Sequence, residues 1–492
     1  MPPAEPLIVF CNPGDRRSEG IRQARSRLGM PPAVLIPYAG LLQGQPLAEL
    51  LEQAGQRLDM LEQAGQRLDI LPEQEQPMGG MSGQAGQRVD GMRVLDALQG
   101  QAQVNSPAPD RQPDLTEPAA QGRDSSRQSR LAAPAPAAHA PATAPPLLRL
   151  ESPGGSFETE RALIALGAPD APEADDSLHP YGGQPDLRPL SFKAAGALKD
   201  MPGVLHHPSQ WFRGYCRLLA RIQREAGQLL PAARWTNHPG EIAAMTDKRR
   251  TQQLLAAAGV PIPRPLKGSS GEAPVDYASL RGLMLSQRMH RVFIKLASGS
   301  AASGVIAYQL NPATGAEVAV TTIGVESYIT RPPVYYNSGK LRRYTDSALL
   351  AGIINWLYRH GAYAEQWIPK SGADGQSFDI RQLVVAGVAC HSVARVSRTP
   401  ITNLHLRSRR MTPAEAGLTE DMQAEVRQTA EQSLAAFPRS SVAGIDVLVG
   451  STGRTYTADV NPFGDLLYDV EYHGCSTYEW EMKQLSGRNL AL

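Results

Sequence analysis

The sequence predicts an α+β protein: a mostly antiparallel carboxy-terminal half, preceded by a small α/β unit that a long insertion interrupts. Three observations predict it. Short apolar strands separated by glycine-bearing turns crowd the region after residue 290, as antiparallel meanders require. Strand and helix patterns alternate near the amino terminus, as a small parallel layer requires. Between the two, no aromatic residue and no cysteine occurs from Tyr38 to Phe157, although the chain holds 15 Tyr, 8 Phe and 5 Trp. A stretch without large apolar side chains is poorly equipped to offset its chain entropy.

In chain order, Leu7–Phe10 reads as a strand, followed by an Asn-Pro-Gly turn and a helix from Glu19 to Leu28. Val34–Pro37 reads as a second strand, which closes a first segment, 1–46. Residues 47–146 read as a disordered insertion of low complexity. LEQAGQRLDM at 51–60 recurs as LEQAGQRLDI at 61–70, and a decayed copy, QAGQRVD, follows at 84–90. A helix could carry the leucines of each copy as a stripe, but the central glycine costs it about 1 kcal/mol. The Pro- and Ala-rich run that follows has the composition of an extended linker. A tandem duplication in a tolerated loop and a partner-recruiting element both fit this segment.

The interrupted unit resumes over 147–235. Leu147–Leu150 reads as its third strand, and Ser156 suits the N-cap of a helix with Glu158 and Glu160 in its first turn. A longer helix, Trp211 to Glu225, leads into the second half, 236–492. There a helix over Asp247–Ala258 ends at Gly259, ahead of Pro261. Strands follow at Val292–Leu296, Val305–Leu310, Tyr363–Ile368, Ile380–Ala386, Cys390–Val396, Ala443–Val449 and Thr455–Val460.

Composition narrows the function classes. A formal net charge of +1 and a pI near 7.7 offer no global field to draw the chain onto nucleic acid or an anionic membrane. The four cysteines (Cys11, Cys216, Cys390, Cys475) are far apart, which indicates a reducing compartment. The first residues lack the features of a signal peptide. The most apolar stretches, Ala348–Leu357 and Leu383–Ala389, are too short to span a membrane. The expectation is a soluble, cytoplasmic protein.

The residues richest in chemistry lie near the end. With a hairpin centred between Thr452 and Gly453, Asp446 faces Asp459, and Asn461 shares their face. Opposed carboxylates repel unless one is protonated or a cation lies between them, and three hard oxygen ligands suit Mg²⁺. A slipped register would separate them instead. The chain has 41 Arg but only 8 Lys, so Lys295, inside the apolar run Val292–Leu296, stands out. The small-residue run Ala297–Gly304 after it could admit phosphate to backbone N–H groups, or be a flexible hairpin loop. Lys248, at its helix start, could equally be solvated. Arg381 lies in an apolar strand, where a partner carboxylate such as Asp379 or Glu365 is expected; beside phosphate the same guanidinium could clamp a phosphoryl group. Arg395, Asn403, His405, Arg407, Arg409 and Arg410 follow, and His405 is more simply a structural histidine.

Taken in order, Lys248 in TDKRRTQQLLAAAGVPIPRP, Lys295 in FIKLASGSAASGV, then AEQWIPK, FDIR, TNLH, GIDVL and ADVNPFGDLL resemble the ATP-grasp superfamily. They are nearest the RimK-like and glutathione-synthetase-like carboxylate–amine ligases. The resemblance covers 236–492, and the split unit before it looks like a pre-ATP-grasp domain. YYNSGKLRRY and TNLHLRSRR look like an uncharacterised bacterial ATP-grasp family. The resemblance implies that Lys248 and Lys295 hold nucleotide phosphates under a mobile loop, Ser298–Gly304 (with Ser298, Gly299, Ser303 and Gly304 against the nucleotide). It implies that Glu365, Gln366, Trp367 and Ile368 form an adenine-facing hinge, largely through backbone groups. It further implies that Asp446, Asp459 and Asn461 bind Mg²⁺, or Mn²⁺ in its place, and that Arg381, Arg395 and Asn403 face the γ-phosphate.

Three departures accompany it. Asp459 replaces the usual Glu of the metal motif, Ser408-Arg409 replaces a usual Gly-Gly, and the covering loop has fewer glycines. The implied reaction joins a small-molecule or peptide carboxylate to an amine through an acyl phosphate, releasing ADP and phosphate, with no nucleic-acid or membrane partner and with homo-oligomers allowed. A kinase of similar fold, or a nucleotide-binding scaffold, are the alternatives. The amino-terminal unit and Tyr335–Tyr344 are the expected substrate contacts.

Overall fold

A computed structural model of the chain describes residues 5–63, 145–182, 186–299, 303–372, 375–403, 406 and 408–486, without the side chains of 58–63. The first strand, β1 (Leu7–Cys11), is buried throughout, as a parallel strand covered on both faces must be. α1 (Arg16–Arg27) follows, and the Asp15 carboxylate accepts the Ser18 N–H at its N-terminus. Next come β2 (Val34–Pro37), α2 (Tyr38–Leu42), α3 (Leu47–Gln63), β3 (Leu147–Leu150), α4 (Phe157–Leu166), α5 (Phe192–Gly196), α6 (Pro208–Leu229) and a short β4 (Arg234–Trp235). The four strands run parallel in the order β2-β1-β3-β4. The chain leaves β1 on one side and returns on the other, which opens a crevice beyond the carboxyl ends of β1 and β3.

One boundary moves. The insertion was expected from residue 47, yet Leu47 and Leu50 are buried in the core of this unit. The segment therefore begins as helix, and α3 passes through the first repeat copy with Gly55 inside it. The later repeat at 84–90, most of the second copy and the remainder of the insertion lie outside the described residues.

The second half opens with α7 (Pro239–Thr246), α8 (Lys248–Ala257) and α9 (Tyr277–Ser286). β5 (Arg291–Leu296), β6 (Val305–Leu310), β7 (Glu317–Glu326), β8 (Val334–Tyr344), α10 (Ser347–Arg359) and β9 (Ala362–Gln366) complete one antiparallel sheet, ordered β8-β7-β6-β5-β9. A second antiparallel sheet, β12-β11-β10-β13-β14, uses β10 (Ser377–Val385), β11 (Val388–Ser397), β12 (Arg409–Met411), β13 (Val442–Val449) and β14 (Thr455–Asn461), with α11 (Glu420–Ala435) and α12 (Thr477–Leu485). Two antiparallel sheets with helices, preceded by a small parallel layer, make the α+β, ATP-grasp-like architecture expected.

Alternation divides the work of the second sheet. Ile380, Ala394, Ile445, Val447 and Val460 face α11 and form one core. On the opposite face Leu383, Val385, Val393 and Val442 pack against Leu7, Val9 and Ile21 of the parallel unit and against Trp480 of α12. The segments separated at 235/236 in the sequence thus share a core. The same sheet face continues past this apolar patch into Arg381, Arg395 and Asp446, so the parallel unit is packed beside the chemistry.

The strands β4, β7, β8 and β12 and the helices α2, α5, α7, α9, α10, α11 and α12 have no counterpart among the expected elements. The Tyr335–Tyr344 stretch is β8, and its Tyr335 ring stacks on Trp356 at 4.6 Å while its hydroxyl donates to the Gly352 carbonyl. That ring is core, not substrate contact. Among the described residues no helix is long and apolar enough to cross a membrane, and all four cysteines are buried and unpaired.

Candidate nucleotide and metal site

The cleft between the two antiparallel sheets gathers most of the expected site residues. Lys248 reaches it because Asp247 caps α8, accepting the Arg249 and Arg250 N–H groups, while the Lys248 N–H donates to the Ala297 carbonyl at 2.9 Å. That bond ties the helix start to the loop that follows β5. The Lys248 ammonium stands 2.7 Å from Asp459 Oδ2. Lys295, on β5, lies 2.6 Å from Glu365 Oε1 on β9 and donates to the Ala458 carbonyl at 3.1 Å. Burial lowers the Lys295 ammonium's pKa, but Glu365 and Asp459 outweigh burial and raise it above the ordinary lysine value.

On the second sheet, Arg381, Asp446 and Asp459 form one row across β10, β13 and β14. The expected opposition of Asp446 and Asp459 is present, though the turn that sets it differs. Val447, Leu448 and Val449 pair with Thr457, Tyr456 and Thr455, so the hairpin is centred on Thr452; Ala458 is then an unpaired bulge, beyond which Asp446 meets Asp459. Bulges commonly accompany functional sites. Here the bulged residue supplies the carbonyl that Lys295 uses.

The arginine pairing is also corrected. Arg381 meets neither Asp379 nor Glu365; its Nε is 2.8 Å from Asp446 and 3.3 Å from Asp465. Asp379 instead takes Arg395 at 2.7 Å, its direct neighbour across β10–β11. A second guanidinium nitrogen of Arg395 reaches Asp446 at 3.1 Å. Asp459 is held below the usual carboxylate range: burial opposes this, but Lys248 and Lys295 prevail.

Two residues of this cluster were not anticipated. Lys370 is buried beside Asp379, 3.5 Å away, and donates to the Thr402 hydroxyl at 2.6 Å; Thr402 in turn donates to Asp379. Burial depresses the Lys370 ammonium. Its signal was present, since lysine is rare in this chain and the reasoning that picked out Lys295 applies to it. Asp465, in the NPFGDLL run, gave no separate signal because the hairpin argument ended at Asn461.

The hinge and loop are more mixed. Glu365 faces the cleft, whereas the Gln366 and Trp367 N–H groups already donate to the Arg264 and Arg291 carbonyls. Trp367 packs on Phe293, and Ile368 joins Leu448 and Ala458. The N–H of Ile368 has no partner among the described residues. Ser298 Oγ lies 3.4 Å from the Pro208 carbonyl, and Ser303 Oγ accepts from Asn337 at 2.8 Å. A Cβ added at Gly299 or Gly304 would collide with neighbouring atoms, and Gly304 has φ +71°. Residues 300–302, His405 and Arg407 lie outside the described residues. Asn403 lines the cleft, and its carbonyl accepts the Leu406 N–H.

The donors suit a hard divalent cation. Asp446 and Asp459 present opposed carboxylate oxygens, and the Asn461 Nδ2 donates to the Gly444 carbonyl at 3.1 Å, which leaves its oxygen for a ligand role. No cluster of three His, Cys, Asp or Glu offers a metal site among the described residues, so a third protein ligand would have to be Asn461. At present the two carboxylates are balanced by Lys248, Arg381 and Arg395.

A wider part of the cleft, about 480 Å³, runs from Lys248 and Arg381 to the crevice of the parallel sheet. No family model and no curated protein matches the chain. Solved structures match part of it: an N5-carboxyaminoimidazole ribonucleotide synthetase in complex with ADP (10% identity, 55% of this chain and 57% of that one, TM-score 0.37). A biotin carboxylase of Campylobacter jejuni in complex with β,γ-ATP is 16% identical over 55% of this chain and 52% of that one, TM-score 0.36. A D-cycloserine synthetase is 14% identical over 57% and 81%, TM-score 0.36. The chain spans little more than half the length of the first two, and at these values none carries its chemistry across.

Proposed function

We propose that the protein is an ATP- and Mg²⁺-dependent carboxylate–amine ligase, of the RimK-like kind its motifs resemble, working through an acyl phosphate. One observation carries the reading: two lysines from one sheet and helix α8 face two opposed aspartates of the other sheet across a single cleft. Cations for phosphate and oxygens for metal are thereby set against each other, as a metal–nucleotide complex needs.

In this reading Lys248 and Lys295 take the phosphates, each leaving its present carboxylate partner. The Ile368 N–H is the hinge donor available to a base. Asp446, Asp459 and Asn461 hold the metal, which when bound neutralises phosphate charge and aligns the chain for in-line transfer. Arg381 and Arg395 lie where they can stabilise charge spreading over the transferring phosphoryl group. Their second carboxylates, Asp465 and Asp379, keep both guanidiniums aimed once Asp446 turns to metal. Asn403, on the loop that Lys370 anchors through Thr402, approaches the same point. The substrate carboxylate oxygen bonds to the γ-phosphorus as the bond to the β-phosphate oxygen breaks, releasing ADP. Attack by a neutral amine on the acyl phosphate then breaks the C–O bond to phosphate, forms the amide and releases inorganic phosphate, which carries away the amine's proton. A closed, dry site would supply proximity for both steps.

Product analysis tests the reading. Amine-dependent appearance of ADP and free phosphate in equal amounts is expected. A stable phosphorylated product formed without any amine requirement would instead make the protein a kinase.

A further inference from the structure

The last helix carries a lysine whose partner is a sulfur atom. Lys483, in the final turn of α12, is half-buried, and its ammonium nitrogen lies 2.9 Å from the Cys475 Sγ. Among the described residues no carboxylate lies within ion-pair distance of it. The acids of the same helix are engaged elsewhere. Glu479 closes the capping box with Ser476, and Glu481 pairs with Arg149 at 2.6 Å.

The backbone holds Cys475 in place from several sides. Tyr472 and Cys475 exchange both main-chain hydrogen bonds, at 3.0 and 3.1 Å, around His473 and Gly474. Those two residues have φ of +50° and +68°, as a tight two-residue turn of the primed kind requires. The Cys475 carbonyl also accepts from His391 Nε2 at 2.8 Å, and Ser476 beside it caps α12. His473 and Gly474 are exposed while Cys475 is buried, so the sulfur lies directly beneath a surface turn. A small solute has a short path to it.

The other three cysteines are placed differently. Burial pushes the Cys11 thiol up to about 11 and the Cys390 thiol up to about 12, and it raises that of Cys216 as well. Each is thereby denied the thiolate that attacks oxidants. Cys390 spends its thiol on the Leu383 carbonyl at 3.4 Å. Cys475 is the cysteine that has an amine against its sulfur.

We propose that Cys475 and Lys483 are a modification site, joined by a sulfur–nitrogen bond when the protein meets hydrogen peroxide. In the first step a sulfur–oxygen bond forms as the peroxide O–O bond breaks. The sulfur is oxidised to sulfenic acid, and the peroxide is reduced, leaving as water. Sulfenic acids condense with a nearby nucleophile, and here that nucleophile is the Lys483 amine. Its nitrogen bonds to sulfur, the S–O bond breaks, and the hydroxyl departs as water with the amine's proton. The product ties the turn before α12 to the end of that helix, whose Trp480 and Met482 sit in the core shared by the parallel unit and the second antiparallel sheet. Nothing in this step depends on the ligase reading.

Peptide mapping of the peroxide-treated full chain tests it, with unreacted thiols alkylated before digestion. Glu479 and Glu481 lie between the two residues, so a glutamate-specific protease separates them unless they are linked. Wild type is expected to give one joined peptide, lighter by two hydrogen atoms than the sum of its parts, and to lose it on treatment with a dithiol. Chain unfolded in urea before peroxide is added should not give it. Lys483→Arg keeps a cation beside the sulfur without the amine; in that variant dimedone should trap Cys475 as the sulfenic acid. Circular dichroism verifies that the variant is folded. Folded wild type overturns the proposal if Cys475 is recovered alkylated, trapped by dimedone, or over-oxidised to sulfinic acid with Lys483 unmodified. A joined peptide forming equally in the unfolded chain overturns it too, since the fold would then have no part in the pairing.

Discussion

Lys248 and Asp459 are paired at 2.7 Å, so a residue suited to phosphate and a residue suited to metal neutralise one another across the cleft. In the proposed ligase reading, phosphate draws Lys248 away and the same movement frees Asp459 for a cation, so metal and nucleotide binding would be coupled through this pair.

The coupling makes an unusual prediction for Asp459→Asn. Losing a carboxylate from the metal set should abolish the gain in ADP affinity that Mg²⁺ confers. Metal-free ADP should nevertheless bind more tightly, by roughly fivefold, as expected when a partly buried ion pair worth about 1 kcal/mol no longer competes for Lys248. Calorimetric titration of ADP with chelator and with Mg²⁺ reads both effects. Unchanged or weaker metal-free binding would show that the pair does not restrain Lys248.

A second prediction concerns Lys295 and Glu365, which are buried together at 2.6 Å. Lys295→Met strands a buried carboxylate and should cost roughly 3–5 kcal/mol in denaturant unfolding. Replacing both residues by Met and Leu should recover most of that loss, because the stranded charge is gone. Nucleotide affinity should stay low in the double variant. Additive stability losses in the double-mutant cycle would mean that the two residues do not act as a pair.

How much of this was legible beforehand depends on whether a feature follows from alternation or from packing. The facing of Asp446 and Asp459 was readable because strand alternation has a period of two. The turn behind it was not: an assumed centre between Thr452 and Gly453 and a real centre on Thr452 lead to the same pairing only because Ala458 bulges. The Ser156 cap was readable from local side-chain chemistry, whereas Asp247, read as the first residue of its helix, is the N-cap. The ion-pair partners of Arg381 were not, since Asp446 and Asp465 come to it from distant segments brought together by the sheet. α3 was missed because its composition looks disordered; Leu47 and Leu50 fold it by packing on the parallel unit.

A third prediction uses acid. His360 is depressed to about 4 by burial, with His207 and Arg359 adding to it, and its Nδ1 meets the Ser209 hydroxyl at 3.1 Å. The folded state thus resists protonation that the unfolded chain accepts near pH 6.5. Stability from this group is complete above pH 6.5 and is lost as pH falls toward 4, by up to roughly 3 kcal/mol. His360→Gln keeps a polar partner for Ser209 but cannot titrate. Its unfolding free energy should therefore fall less steeply than wild type between pH 6.5 and 4, measured by urea titration at each pH. Parallel acid limbs would assign that loss to other groups.

The last prediction separates the covering loop from the pocket floor. Gly304 adopts φ +71°, its carbonyl accepts the Leu296 N–H at 2.8 Å, and a Cβ placed on it would lie 2.6 Å from the Leu296 Cβ. Gly304→Ala therefore combines a left-handed conformation that an L-residue disfavours with a collision against the residue next to Lys295. The cost to stability should be roughly 2–3 kcal/mol. Leu296 can relieve the contact only by shifting the end of β5, which moves Ala297, whose carbonyl holds the Lys248 N–H. Nucleotide affinity should fall along with stability, although residue 304 itself carries no charge. The control is Gly315→Ala, which also has positive φ (+71°) but nothing within 4 Å of the added methyl. It should lose only the conformational part of the stability and none of the affinity. Equal loss of nucleotide binding in the two variants would mean that the Leu296–Ala297 link does not carry the effect.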